Sequence, residues 1–175
     1  MAHQRNSLVV TREATVTARE RDHMADQSKH ESHYGRLMVM AFLSFAAMYI
    51  LMYAMVDAFA NVFHHVNQVY MAGLMTAPMV AIEVLLMSGM YRNRRRNALI
   101  LVTSVIVGVA FFLGIRRQAV IGDAQFLRSM IPHHGGAILM CQQANIRDTR
   151  IRELCRGIVT SQRSEIELMK ALLSE

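Results

Sequence analysis

Charge is almost absent from three long stretches of this sequence, and the absence excludes most soluble folds. Residues 37–56 and 98–115 contain no charged side chain, and residues 69–90 contain only Glu83. At a rise of about 1.5 Å per residue, each stretch can cross a hydrocarbon layer about 30 Å thick. Three such stretches in 175 residues leave little polar surface for a soluble helical core. The sequence therefore predicts an all-α protein with three transmembrane helices.

Lysine and arginine are absent from residues 57–68, the loop after the first stretch, whereas the next loop holds Arg92, Arg94, Arg95 and Arg96. Short arginine-rich loops remain in the cytoplasm. Arg36 supports this orientation, and Arg116 and Arg117 weakly oppose it. We therefore expect a cytoplasmic amino terminus and an extracytoplasmic carboxyl-terminal segment. The net charge of +6 lies largely beside the spans, where it contacts lipid, so we expect no nucleic-acid partner.

Large apolar side chains are scarce near the amino terminus, which predicts a disordered cytoplasmic tail over residues 1–35 and an anchor over residues 36–117. A cleaved signal peptide is the alternative for the first span, because Ala58-Phe-Ala60 resembles a cleavage site. The apolar run is longer than a usual signal core, and a 36-residue polar tail precedes it. We therefore expect an uncleaved anchor.

The last segment, residues 118–175, has the pattern of a helical hairpin with a polar turn. Asp123 and Asp148 are expected to cap its two helices. The second helix carries an apolar stripe at helical spacing, formed by Ile151, Leu154, Cys155, Ile158, Ile166, Met169, Leu172 and Leu173. Gln162 and Glu165 lie within the stripe, and both need partners because burying a polar group unpaired costs roughly 2–7 kcal/mol.

Soft metal ligands are concentrated in the first helix of this hairpin. At 100° per residue, one face of the helix carries Met130, His134, Ala137 and Cys141, and the adjoining flank carries His133 and Met140. Pro132 lacks an amide donor, and Gly135 and Gly136 weaken the helix further. We therefore expect a bend near the histidines that turns both imidazole rings into the bundle.

Folding the hairpin at Arg147 brings residues of the two helices to the same level. His133 comes opposite Gln162, and Met130 comes opposite Glu165. Imidazole and thioether side chains together favour a soft metal ion, copper(I) above all. The alternative is that the histidines pack within the bundle, satisfied by a carboxylate and the backbone. The predicted metal ligands are Met130, His133, His134, Met140, Glu165 and Met169.

Three further features each allow two interpretations. Cys141 and Cys155 lie nearly level, so they either form a disulfide in an oxidising compartment or serve as extra soft ligands. His64 and His65 either lend ligands to the hairpin or lie at the membrane interface. Glu83 lies among methionines spaced four residues apart. In one interpretation the methionines and Glu83 form a copper relay. In the other the methionines fill space between helices, and Glu83 is protonated or bonded to a neighbouring helix.

Two patterns in the last third of the chain are typical of a known family, Phe126-Leu-Arg-Ser-Met-Ile-Pro-His-His and Gln162-x-x-Glu-Ile-x-x-Met. The segment resembles the bacterial domain-of-unknown-function 305 family, in its membrane-anchored branch. The resemblance implies a ferritin-like helical fold, a metal role for the His-His motif, and the copper binding and tolerance linked to some members. It also implies a homodimer through the hairpin, because one helix pair is only half of a four-helix bundle. The chain departs from usual members at Gly135, Gly136 and Cys141.

These patterns predict a bacterial inner-membrane protein whose periplasmic hairpin binds copper(I) and buffers it or passes it on, without catalytic activity. One alternative is a non-catalytic structural or assembly subunit of a membrane complex. Another is a ferritin-like metal oxidase, which usually needs several carboxylates and Glu-x-x-His spacing. The hairpin has no Glu-x-x-His, so this last alternative has little support in the sequence.

Overall fold

The computed structural model describes residues 33–91 and 93–175, and every regular element in these ranges is helical. The predicted tail therefore falls almost wholly outside the described residues, and residues 33–35 are already helical. Helix α1 comprises the described residues 33–51. The elements that follow are two short 3-10 turns, Met52–Met55 and Phe59–Asn61, and four helices, α2 (Val66–Leu86), α3 (Arg94–Arg117), α4 (Asp123–Gln143) and α5 (Thr149–Leu173).

Three of these segments are long and apolar enough to cross a membrane: His33–Met55, Val66–Leu86 and Arg94–Arg117. Their positions agree with the three uncharged stretches of the sequence. In the first segment, only 6% of the most apolar stretch of residues is buried within the protein. So large an exposed apolar surface is unfavourable in water and is typical of helices that face lipid. The three segments, together with the loops that join them, are called the anchor below.

Small residues let α2 and α3 approach each other closely within the anchor. The Phe111 ring lies directly over Gly73, and the Tyr70 ring lies about 3.2 Å from where a side chain on Gly114 would begin. Membrane helices without a hydrophobic driving force between them associate through such close packing. At the arginine-rich end, the Tyr34 hydroxyl donates a hydrogen bond of 2.7 Å to Asn97 and so links α1 to α3.

The hairpin of α4 and α5 has a small core of its own. Its buried residues are Ile131, Ile138, Ile166 and Met169, and Phe63 from the loop after α1 packs against them. Met169 therefore belongs to the apolar core between the two helices. Because Phe63 joins this core, the hairpin is attached to the anchor by packing as well as by the chain.

The helix caps agree with the sequence at α5 and differ at α4. Asp148 accepts a hydrogen bond from the Arg150 amide and caps α5 as predicted. The prediction for Asp123 is wrong, because Gly122 holds the extended N-cap position and Asp123 already has helical geometry. The Asp123 carboxylate lies in the first turn instead, where it is next to the positive end of the helix dipole.

The apolar stripe of α5 is wider than α4 can cover. Ile166 and Met169 are buried, whereas Ile151, Leu154 and Leu172 remain about half exposed or more. One helix buries only the residues that face it, so the outer part of the stripe stays open on the hairpin surface.

Candidate functional site

His134 lies between α4 and α5 and uses both of its ring nitrogens. The ring is buried, with 6% of the residue exposed. Its Nδ1 lies 2.8 Å from the Met130 carbonyl oxygen, and its Nε2 lies 2.7 Å from Glu165 Oε2. A carbonyl oxygen can only accept, so Nδ1 carries a proton. Both ring nitrogens are therefore engaged, one by the backbone and one by the Glu165 carboxyl group.

Glu165 is held in this pair by a second donor. The Ser161 hydroxyl donates a hydrogen bond of 3.1 Å to Glu165 Oε1. The bond from His134, followed by the bond from Ser161, holds the pKa of the Glu165 carboxyl below its usual range. In this arrangement His134 has no lone pair free for a metal ion, and the carboxylate oxygens are already engaged. The pair corresponds to the alternative in which a carboxylate and the backbone satisfy the histidine.

His133 points away from its neighbour and lies exposed on the side of α4 that faces the anchor. The expectation that both rings enter the bundle is wrong. Helix α4 continues without interruption from Asp123 to Gln143, across Pro132, so adjacent residues stay about 100° apart around its axis. The two ring centroids are 6.3 Å apart at an angle of 64°. His133 makes no hydrogen bond to the described residues, so its ring is free to bind a ligand.

A cavity of about 480 Å³ lies between α4 and the ends of α1 and α2. Its wall contains seven soft-ligand side chains, which are Met52, Met55, Met71, Met130, Met140, His65 and His133. Five of the chain's 15 methionines are therefore on one wall. Methionine has three rotatable bonds and a polarizable sulfur, so such side chains can turn toward a common point. The cavity lined by these seven side chains is called the Met/His cavity below.

His65 is positioned at this cavity as the N-cap of α2. Its Nδ1 accepts a hydrogen bond of 3.1 Å from the Gln68 amide. Burial, together with the nearby His64, lowers the pKa of His65 to about 4. The ring is therefore neutral at neutral pH, which is the state that a metal ligand requires. His64 instead stacks on the Tyr49 ring, with centroids 6.1 Å apart, and does not line the cavity.

Two glycines allow α4 to lie directly against the end of α1. A side chain on Gly135 would begin 2.5 Å from Asp57 Oδ1, and one on Gly136 would begin 3.3 Å from the Met55 carbonyl oxygen. Asp57 cannot easily move, because Asn61 donates a hydrogen bond of 2.7 Å to the same oxygen. The Gly-Gly pair that weakens the helix is thus what brings the methionines of α1 and α4 to one cavity.

Cys141 and Cys155 form a disulfide that joins α4 to α5 near the turn, with Cα atoms 5.3 Å apart. The alternative that they serve as thiol ligands is therefore wrong for this structure. The disulfide confirms that these residues lie level. Closer to the histidines, the Glu165 carboxylate contacts the ring of His134, which lies one helical turn after Met130, the residue expected opposite Glu165.

The six predicted ligands are thus divided between two places. His134, Glu165 and Met169 lie between α4 and α5, whereas His133 and Met140 line the Met/His cavity and Met130 contacts both. The described part of the chain contains no group of three or more His, Cys, Asp or Glu side chains placed to hold a metal ion. An ion held by these residues would therefore depend on thioether sulfur.

Sequence reasoning missed Met52 and Met55 and left His65 undecided. The available signal was their position: all three lie at the end of a span near residues 57–68, the end that the predicted topology assigns to the hairpin side. What the sequence did not contain was the docking of α4 on this end, which depends on Gly135 and Gly136.

Comparison with known proteins identifies relatives of this chain. Residues 86–173 match the family model described as "Domain of unknown function (DUF305)". The "Uncharacterized protein L153" of Acanthamoeba polyphaga mimivirus is 33% identical over 142 residues, which cover 79% of this chain and 91% of that protein. No solved structure matches the chain. The family match extends through α3, α4 and α5, and the chain belongs to the DUF305 family.

Proposed function

We propose that this chain is a membrane-anchored protein that binds copper(I) and buffers it, passes it on or contributes to copper tolerance. One observation carries the proposal: five methionines and two histidines line a single cavity beside the membrane segments. Thioether and imidazole groups favour soft ions, whereas magnesium and calcium favour oxygen ligands. With both cysteines in a disulfide, thioether sulfur is the soft ligand that this cavity offers.

The proposed ligand set is narrower than the sequence suggested. Met130, His133 and Met140 are the ligands that the hairpin contributes. The His134–Glu165 pair holds α4 against α5, so that the adjacent His133 faces the cavity. Supporting contacts of this kind orient metal ligands and affect affinity although they do not touch the ion.

The proposed location is a bacterial inner membrane, with the amino terminus in the cytoplasm and the hairpin in the periplasm. The arginine-rich loop before α3 favours this orientation. The disulfide favours it independently, because disulfides persist in oxidising compartments and are rare in the cytosol. The His-His motif and the anchored arrangement would place the chain in the membrane-bound branch of its family.

Copper(I) titration of the full-length protein in lipid nanodiscs, against a coloured copper(I) chelator, tests the proposal. We expect His133→Ala combined with Met130→Leu to weaken binding by about tenfold or more, a loss of at least 1.4 kcal/mol. Met169→Leu serves as the control, because that thioether lies in the hairpin core and a Leu for Met exchange conserves volume. The proposal is overturned if the wild type, the double variant and Met169→Leu all bind copper(I) with equal affinity.

The exposed part of the apolar stripe of α5 favours an additional role in self-association. We propose that a second copy covers Leu154 and Leu172 of this stripe and the exposed Leu168 beside it, so that two hairpins complete a four-helix bundle in the ferritin-like manner. Leu154→Glu with Leu168→Glu should then convert a dimer in detergent to a monomer, measured by sedimentation. An oligomeric state that both proteins share contradicts this arrangement.

A further inference from the structure

We infer that the metal site is shared between the hairpin and the anchor, so that a bound ion fastens one to the other. The inference rests on the proposed function and deepens it, because it adds ligands from the membrane segments. The added ligands are Met52, Met55, Met71 and His65, none of which belongs to the hairpin.

The four added side chains come from two elements that end at the cavity. Met52 and Met55 lie in the 3-10 turn that finishes α1, and His65 and Met71 lie at the beginning of α2. The hairpin faces them with Met130, Met140 and His133. The hairpin and the anchor thus each offer thioethers and one imidazole, and these side chains face each other across the Met/His cavity.

The hairpin contacts the anchor through hydrogen bonds, one aromatic ring and the packing of α4 on the end of α1, and an ion would add to these contacts. The Val66 amide donates a hydrogen bond of 3.0 Å to Gln125, and the Asn67 side chain donates one of 3.0 Å to Gln118. Phe63 provides the apolar contact. A ligand that binds only the docked arrangement stabilises it by mass action, and the stabilisation is reciprocal: docking strengthens binding.

Binding of an ion by His65 would replace the hydrogen bond that now caps α2. The neutral ring has one lone pair, which accepts the Gln68 amide at Nδ1. An ion would exchange for that hydrogen bond, and the α2 N-terminus would then be capped less well. Replacement by asparagine removes the imidazole but keeps a side-chain oxygen suited to the N-cap position. His65→Asn is therefore a variant that separates ligation from folding.

The first experiment measures copper(I) affinity of the full chain in nanodiscs by competition with the chelator. The triple variant Met52→Leu/Met55→Leu/Met71→Leu is expected to bind about tenfold more weakly or worse. The control is Met38→Leu/Met87→Leu/Met90→Leu, which changes three exposed anchor methionines that lie outside the cavity. It is expected to bind like the wild type.

The second experiment uses X-ray absorption at copper on matched histidine variants. His65→Asn should lose a nitrogen neighbour from the copper shell, whereas His64→Asn, which changes a histidine outside the cavity, should retain it. The triple methionine variant should lose sulfur neighbours. Circular dichroism of each variant confirms that helix content is unchanged, and His65→Asn remains informative if the triple variant does not fold.

The outcomes separate this inference from the proposed function. If the triple variant and His65→Asn bind like the wild type while His133→Ala/Met130→Leu does not, the shared site is overturned and the hairpin alone binds the ion. If the wild type shows no binding in the presence of the chelator, both proposals are overturned. The shared site is supported if the cavity variants of both the hairpin and the anchor bind copper(I) more weakly while the control variants bind like the wild type.

Discussion

At the scale of single residues, two adjacent histidines have opposite environments. His134 is enclosed and paired with Glu165, whereas His133 is open to the Met/His cavity. A rotation of about 100° between neighbours on a helix is enough to separate a structural role from a ligand role. His65, from a different element, has the burial and the depressed pKa that suit a neutral ligand.

The pKa of His65 predicts how stability depends on pH. Because the folded pKa, about 4, is below the unfolded value of 6.5, protonation favours the unfolded chain. The contribution of His65 to stability should therefore be complete above about pH 6.5 and be lost as the pH falls toward 4, by less than about 1.4 kcal/mol per pH unit. Thermal unfolding of the wild type and His65→Asn across this range measures the difference. Parallel curves for the two proteins contradict the prediction.

At the scale of elements, α4 makes contacts on two sides. One side packs on α5 through Ile131 and Ile138, and the other lies against the end of α1 at Gly135 and Gly136. A proline and two glycines are unfavourable for an isolated helix. The presence of the two glycines is explained by close approach to the neighbouring segment, which a helix with larger residues at these positions could not make.

Gly135→Ala is expected to destabilise the docked hairpin by about 1–3 kcal/mol, because the new methyl group meets the Asp57 carboxylate. Gly157→Ala is the matched control, since Gly157 lies in α5 with nothing within 4 Å of the added atom. That change should stabilise its helix by about 0.5–1 kcal/mol. Chemical unfolding in detergent measures both. Similar stabilisation by the two substitutions contradicts the close contact at Gly135.

The disulfide gives a second prediction at this scale. It closes a loop with a sequence separation of 14 residues at the turn between α4 and α5. Cys141→Ser/Cys155→Ser should lower the free energy of unfolding of the hairpin by about 2–4 kcal/mol. Wild-type protein treated with a reductant should behave in the same way. Unfolding curves that do not respond to either treatment contradict the prediction.

At the scale of the whole molecule, the hairpin lies on one end of the anchor and the arginine-rich loop lies at the other. The Met/His cavity is between the hairpin and the anchor. This arrangement predicts that copper(I) raises the unfolding midpoint of the full chain. At a free concentration of 100 times the dissociation constant, the gain is about 2.7 kcal/mol. Magnesium is the control, because it favours oxygen ligands and should leave the midpoint unchanged. A midpoint unaffected by copper(I) contradicts ligand binding to the folded protein.

The sequence predicted the elements well because their signals are local. Uncharged runs give the three apolar helices, and the polar residues near Asp148 give the turn and its cap. The level pairing of Cys141 with Cys155 also followed, since both are close to the turn. Farther from the turn, the sequence placed Glu165 close to Met130 and the histidines, and its carboxylate contacts His134, one helical turn after Met130.

The candidate site was only half predictable. Met130, His133 and Met140 could be selected because they are clustered in the chain. Met52 and Met55 could not, because their relation to α4 is set by the packing of Gly135 and Gly136 on a segment almost 80 residues earlier. Local patterns carry no information about such a contact.

The sequence by itself determined that this chain is helical, that three helices are apolar enough for a membrane, and that soft ligands follow them, because charge and helical period are properties of neighbouring residues. Only the tertiary structure decided which histidine is enclosed, which methionines share a cavity and whether the level cysteines form a disulfide. Those outcomes depend on how separate helices approach each other, and that approach is fixed by steric contact and hydrogen bonding between residues far apart in the chain.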